Sequence, residues 1–160
     1  MGVRGATGTV LVTAAVLATA GCGDDTGKSR TAAATESARA YQQAQLDQDW
    51  ETACEAITDR LRRSWGAGTI DECVDIRDIP RISDTSNMRV TTGRPVDLPA
   101  YGSHPAGIGL RVSFGPDGNG TYRNTAQRLV PGDGTWLVDQ SVNLTDGTDT
   151  EAVREALTRK

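Results

Sequence analysis

Histidine is almost missing from this chain, with His104 the only one among 160 residues. Any Ser-His-Asp triad would have to use it, and no G-x-S-x-G motif stands near to supply the nucleophile. A zinc centre fails for the same reason, because Cys22, Cys54 and Cys73 offer no close ligand spacing with His104. Aromatic residues are scarce, at 4%. With a formal net charge of −4, that scarcity argues against nucleic acid, which selects basic surfaces interleaved with aromatics. Beyond the amino-terminal segment, no apolar run approaches the ~20 residues that a membrane-spanning helix needs. No metal, cofactor or catalytic residue is therefore expected.

What is present begins with a leader. Arg4 precedes an apolar run from Val10 to Gly21, and a polar, charged stretch comes after Cys22. A run of about 13 residues is too short to span a bilayer that needs ~20, but it suits a secretory signal over residues 1–21. Thr19-Ala20-Gly21-Cys22 resembles the lipobox of bacterial lipoproteins, with Thr19 where leucine is usual. The resemblance implies cleavage before Cys22 and acylation of its thiol. Each buried methylene contributes about 0.8 kcal/mol, so a multiply acylated cysteine would hold the chain at a membrane surface. Ala18-Thr19-Ala20 also fits ordinary signal cleavage, which would release a soluble protein. Lipidation at Cys22 is the preferred reading. It places the protein on the extracytoplasmic face of a cell membrane.

With Cys22 acylated, Cys54 and Cys73 remain as an even pair in an exported chain. Disulfides persist in that setting, so a bridge is expected; two buried free thiols are the alternative. Loss of Arg4 with the leader makes the mature chain one unit more acidic, which suits a domain held off an anionic membrane.

Residues 22–31 have no apolar periodicity and read as a flexible tether. Gly27-Lys28-Ser29 nearly completes a phosphate-binding loop, but Cys22 stands at the first glycine position and no strand precedes it. A domain is expected over 32–146. Its first helix, Ala32 to Gln48, places Ala34, Ala38, Tyr41 and Gln45 on one face. Asp49 reads as the N-cap of a second helix, whose stripe is Trp50, Ala53, Cys54, Ile57 and Leu61. Arg60, Arg62 and Arg63 then complement that helix's dipole rather than form an anion site. Thr69-Ile70-Asp71-Glu72 is a capping box for a short third helix carrying Cys73, so the disulfide would staple neighbouring helices. Pro80 closes the helical region.

From Met88 the period changes to that of strands. Met88–Thr92 is one candidate, and Gly93, Pro95 and Pro99 interrupt the next stretch. Ile108, Leu110, Val112 and Phe114 alternate with smaller or polar residues. Gly115–Gly120 and Pro131–Gly134 are turns, and Trp136, Val138, Gln140, Val142 and Leu144 are expected to share the inward face of a last strand. That leaves Asp139 facing solvent, with His104 on a surface loop. Asp117-Gly118-Asn119 is similar to the start of a calcium loop, but Tyr122 and Arg128 occupy positions where that loop needs glycine and glutamate. The tail, 147–160, reads as a possible short surface helix carrying Val153 and Leu157. The fold class is α+β, with N-terminal helices on one face of a curved antiparallel sheet.

This order resembles small exported proteins, above all actinobacterial lipoproteins, with a nuclear-transport-factor-2-like cone. Ala40-Tyr41, Asp49-Trp50, Ala53-Cys54, Cys73, Arg128-Leu129-Val130 and Gly134-Thr135-Trp136-Leu137-Val138 carry the resemblance, which covers roughly residues 32–145. That superfamily holds both enzymes and non-catalytic modules, so the resemblance implies a fold more than an activity. The expected role is a lipid-anchored, non-catalytic binding or accessory module. Its partner would be a cell-surface protein or a small apolar ligand, with Tyr41, Trp50, Trp65, Tyr122 and Trp136 as pocket candidates. The alternative is an enzyme like ketosteroid isomerase or polyketide cyclases, drawing on Tyr41, Asp97, Tyr101, His104, Tyr122 or Asp139. None of these makes a diagnostic spacing. The oligomeric state is left open.

Overall fold

Small side chains set the first packing contact. Ala34 and Ala38, one helical turn apart, are fully buried, which lets their helix lie close against a sheet. The computed structural model describes residues 25–80 and 84–159. Cys22, the leader and the lipobox lie outside them. The elements in chain order are α1 (Asp25–Asp47), α2 (Trp50–Glu55), α3 (Asp59–Ser64), α4 (Ile70–Arg77), β1 (Arg89–Thr92), β2 (Val96–Leu98), β3 (Gly107–Gly115), β4 (Arg123–Pro131), β5 (Trp136–Asn143) and α5 (Thr150–Thr158). The protein is α+β, with helices followed by a curved antiparallel sheet, consistent with a cone.

α1 begins earlier than expected. Its first turns run through residues 25–31, so the stretch read as a tether is helical there. The helix ends where Gln48 takes a left-handed conformation (φ 59°) and the Asp49 N–H donates back to the Ala44 carbonyl at 2.9 Å. That closes the last turn and reverses the chain within two residues. The Asp49 side chain then accepts from the Thr52 N–H and starts α2, as the capping pattern predicts.

The single second helix is a correction. It breaks after Glu55 and resumes at Asp59. Between the two pieces, Thr58 N–H donates to the Val138 carbonyl at 3.0 Å, and Val138 N–H donates to the Ala56 carbonyl at 2.9 Å. The break thus supplies backbone partners to strand β5. Thr58 caps α3 through its side chain. The apolar stripe survives, with Ala53, Cys54, Ile57 and Leu61 all buried. Thr69 and Glu72 form the predicted capping box of α4, and Cys54 on α2 is bonded to Cys73 on α4.

The sheet has the order β1-β3-β4-β5, and β2 also pairs with β3. β2 lies in the stretch that proline and glycine were expected to interrupt. β1 and β2 take up successive parts of β3, with Gly93 N–H donating to the Arg111 carbonyl at the step between them. The inner face joins α1 to α4 in one core containing Tyr41, Ile57, Leu110, Val112, Leu129 and Val138. The outer face is covered as well, another correction. α5 buries Val153 and Leu157 against Leu98 and Ala126, so the tail is a packed helix that closes a second core.

The shared face expected for the last strand also fails. Leu129 pairs with Val138 and Arg128 with Gln140, leaving Asp139 as an extra residue at a bulge. A bulge shifts the alternation by one. Val138 therefore joins the inner core, while Val142 and Leu144 pack with the outer one.

Candidate functional site

The bulge turns Asp139 into the molecule, and its residue is only 2% exposed. The expectation that it faces solvent is thus corrected. Arg60 Nη2 lies 2.6 Å from Asp139 Oδ2, and Arg60 Nε donates to Oδ1 at 3.0 Å. Thr58 Oγ1 donates to Oδ1 at 3.0 Å, and His104 Nδ1 stands 2.9 Å from Oδ2. Burial works to raise the Asp139 pKa. Hydrogen bonds from Arg60, His104 and Thr58, with the Arg60 charge, outweigh it and hold the carboxyl below the usual range. His104, expected on the surface, is tied here because Tyr101 and His104 close their loop through paired backbone bonds of 2.9 Å each. Arg60 therefore does more than complement a helix dipole: it neutralises a carboxylate on β5.

Arg128, on the facing strand, is fully buried. Its guanidinium donates to the carbonyls of Pro99 and Pro105 at 2.9 Å each, and to that of Leu157 at 3.2 Å. It joins the loop after β2, the approach to β3 and the last turn of α5. These two groups are saturated by protein partners, and their arrangement is a clamp on the fold.

A different region is open. At the carboxyl-terminal end of α1 the helices and the sheet part to form a cleft of about 500 Å³. Gln42, Gln45 and Leu46 of α1 form one wall, and Trp50 and Arg77 form another. Phe114, Asp117 and Arg123 close it from the sheet side. The left-handed turn at Gln48 places Trp50 beside the end of α1. Thr85 Oγ1 donates to the Leu46 carbonyl at 3.1 Å and holds the chain before β1 against the same end. Asp117 accepts the N–H groups of Asn119 and Thr121 at 2.9 Å each. The Thr121 N–H, and then that of Asn119, lower its pKa. The residues that resembled a calcium loop are thus committed to ordering their own turn.

The five pocket candidates do not converge. Trp50 lines the cleft, and with Trp65, Ile76, Ile79 and Arg77 it also lines an adjoining groove of about 380 Å³. Tyr41 lies in the core, where burial pushes its phenol up to about 12 despite the opposing charge of Arg77. Tyr122 is 55% exposed on the strand connection and lines neither opening. Trp136 is at the other end of α1, where Arg30 lies 5.7 Å from its ring centroid. Asp97 is exposed on β2, and Tyr101 is half-buried on the His104 loop. Sequence reasoning passed over Gln42, Arg77 and Arg123, and placed Gln45 only on the packing face of the first helix. Arg77 carried a faint signal as a cation in the last turn of a helix.

Compared with protein-family models, with curated proteins and with solved structures, the chain finds no match. Among the described residues, no helix is long and apolar enough to cross a membrane, and no group of three or more metal-ligating side chains is found.

Proposed function

We propose that the chain is a lipid-anchored, non-catalytic binding module that works on the extracytoplasmic face of a membrane, with its ligand site in the cleft at the end of α1. The observation that carries this reading is a contrast. The interior of the cone is filled by its own side chains, while the opening beside Trp50 and Arg77 is not. A preformed concave site with convergent polar groups and an aromatic wall is what small ligands select. The Cys54–Cys73 bridge supports a compartment outside the reducing cytoplasm.

The placement of the cleft suits an anchored protein. Cys22 precedes the amino-terminal end of α1, and the cleft lies at its other end. A helix of 23 residues at 1.5 Å each spans about 34 Å between its ends. A lipid at Cys22 would thus join the chain ahead of the helix end that lies away from the cleft. The isomerase-like alternative needs an acid/base carboxylate in an apolar pocket, faced by a hydroxyl or a protonated acid. Asp139 is instead engaged by Arg60, Thr58 and His104 at the bulge of the last strand, and it does not line the cleft.

The test is mass analysis of the protein from its native membrane, with analysis of molecules that co-purify. The expected result is a mature chain beginning at acylated Cys22 with a recurrent small molecule. An intact initiator methionine, or a chain with no acyl group, would overturn the anchored reading.

A further inference from the structure

Arg77 packs against two indole rings. Its guanidinium carbon is 5.3 Å from the ring centroid of Trp50 and 4.9 Å from that of Trp65. One terminal nitrogen donates to Gln45 Oε1 at 2.6 Å. Among the described residues, no carboxylate lies within ion-pairing distance of Arg77. Arg123, also on the cleft, is exposed, and among the described residues no carboxylate lies within ion-pairing distance of it. Among the described residues Asp117 is the one carboxylate on the lining; it accepts hydrogen bonds from its own turn and feels the charge of Arg123, so two cations face one anion. In a chain of net charge −4, this opening therefore has an excess of positive charge.

Both rings lie within cation–π range of the guanidinium, and one terminal nitrogen is engaged by Gln45. A planar guanidinium carries five N–H donors, a set that suits the oxygens of a carboxylate or phosphate. The contacts with the rings and Gln45 also hold the side chain in place before a ligand arrives, which lowers the entropy lost on binding. On the other side of Arg77 lies the groove of Trp65, Ile76 and Ile79. Ile76 and Ile79 are 42% and 70% exposed, two of the three exposed large apolar residues among those described. Arg77 and Trp50 line both openings.

We propose that this site binds an organic anion: an oxyanion headgroup on Arg77 with help from Arg123, and an apolar body along Trp65, Ile76 and Ile79. The inference rests on reading the cleft as a binding site, and it names the ligand class.

The test uses the indole N–H signals of the three tryptophans in the full, nitrogen-15-labelled chain. Sodium octanoate is titrated, beside 1-octanol as the neutral counterpart and sodium acetate as the anion without a body. Octanoate is expected to shift Trp50 and Trp65 and to leave Trp136 in place. Octanol and acetate should each need about tenfold more to do the same, the size of one charge-assisted contact. Arg77→Gln should remove the octanoate preference over octanol. Arg123→Gln, on an exposed side chain, should weaken octanoate severalfold without moving the melting temperature. Octanol acting as strongly as octanoate, acetate acting as strongly as octanoate, equal movement of Trp136, or no movement at all would overturn the inference. Those failures leave the anchored-module reading standing, since that reading falls on the mass analysis of Cys22.

Discussion

The carboxylate of Asp139 stands 2.6 Å from Nη2 of Arg60, across a sequence separation of 79 residues. The pair joins the helix α3 to the last strand at the one place where that strand bulges. Asp139→Asn removes the charge while keeping the shape and leaves Arg60, 31% exposed, without its counter-ion. Breaking a buried pair from one side costs 3–5 kcal/mol, and partial exposure of Arg60 reduces that to about 2 kcal/mol. Urea unfolding of the variant should show that loss.

The same carboxyl sets an acid limit. Its folded pKa lies below the unfolded value of about 3.8. Its contribution is therefore complete above that value and disappears as pH falls through the folded pKa. Stability measured from pH 6 down to about 2 should fall more steeply for the parent chain than for Asp139→Asn. Parallel curves would show that the pair does not couple folding to protons.

Tyr41 sets the opposite limit. Its folded pKa is pushed up to about 12 by burial, from an ordinary value of 10.0. A raised pKa contributes stability below the unfolded value, and that contribution is lost as pH rises towards the folded one. Absorbance titration should find one of the three tyrosines ionising only near pH 12, with loss of structure beginning above pH 10. Tyr41→Phe should remove that late step.

The disulfide closes a loop with a sequence separation of 19. Closing a loop of this size stabilises by about 3 kcal/mol on the chain-entropy account. Cys54→Ser with Cys73→Ser should lower the melting temperature by roughly 10 °C in oxidising buffer. Reducing agent should bring the parent chain down to the same value.

Arg128 predicts a local effect. Arg128→Leu leaves the carbonyls of Pro99, Pro105 and Leu157 without their donor. A buried polar group left unpaired costs about 1–3 kcal/mol. Hydrogen exchange in α5 should speed up more than exchange in α1, because α5 is held by Arg128 and a small apolar cluster.

Much of the fold was legible because its signals are local. Asp49 and the Thr69–Glu72 capping box start helices where the pattern places them, since their hydrogen bonds reach only three residues along the chain. Ile108, Leu110 and Val112 alternate into the core as their spacing requires. The pairing of Cys54 with Cys73 followed from parity and compartment. The cleft was much less visible. Arg77 gains its setting from Trp50, Trp65 and Gln45, which lie on other turns of the chain, and no spacing rule joins the four.

Amino-acid order alone determined the class of fold, the starts of α2 and α4, the alternation of β3 and the staple between α2 and α4. The first three depend on groups that meet within a turn or on a repeating period, and the staple on the parity of the cysteines. Only the tertiary structure decided that Asp139 turns inward, that the second helix breaks at Ile57 to pair with Val138, and that α5 covers the outer face. Those outcomes depend on which distant backbone groups need partners and which apolar surface needs cover. Such needs arise only once the sheet has closed.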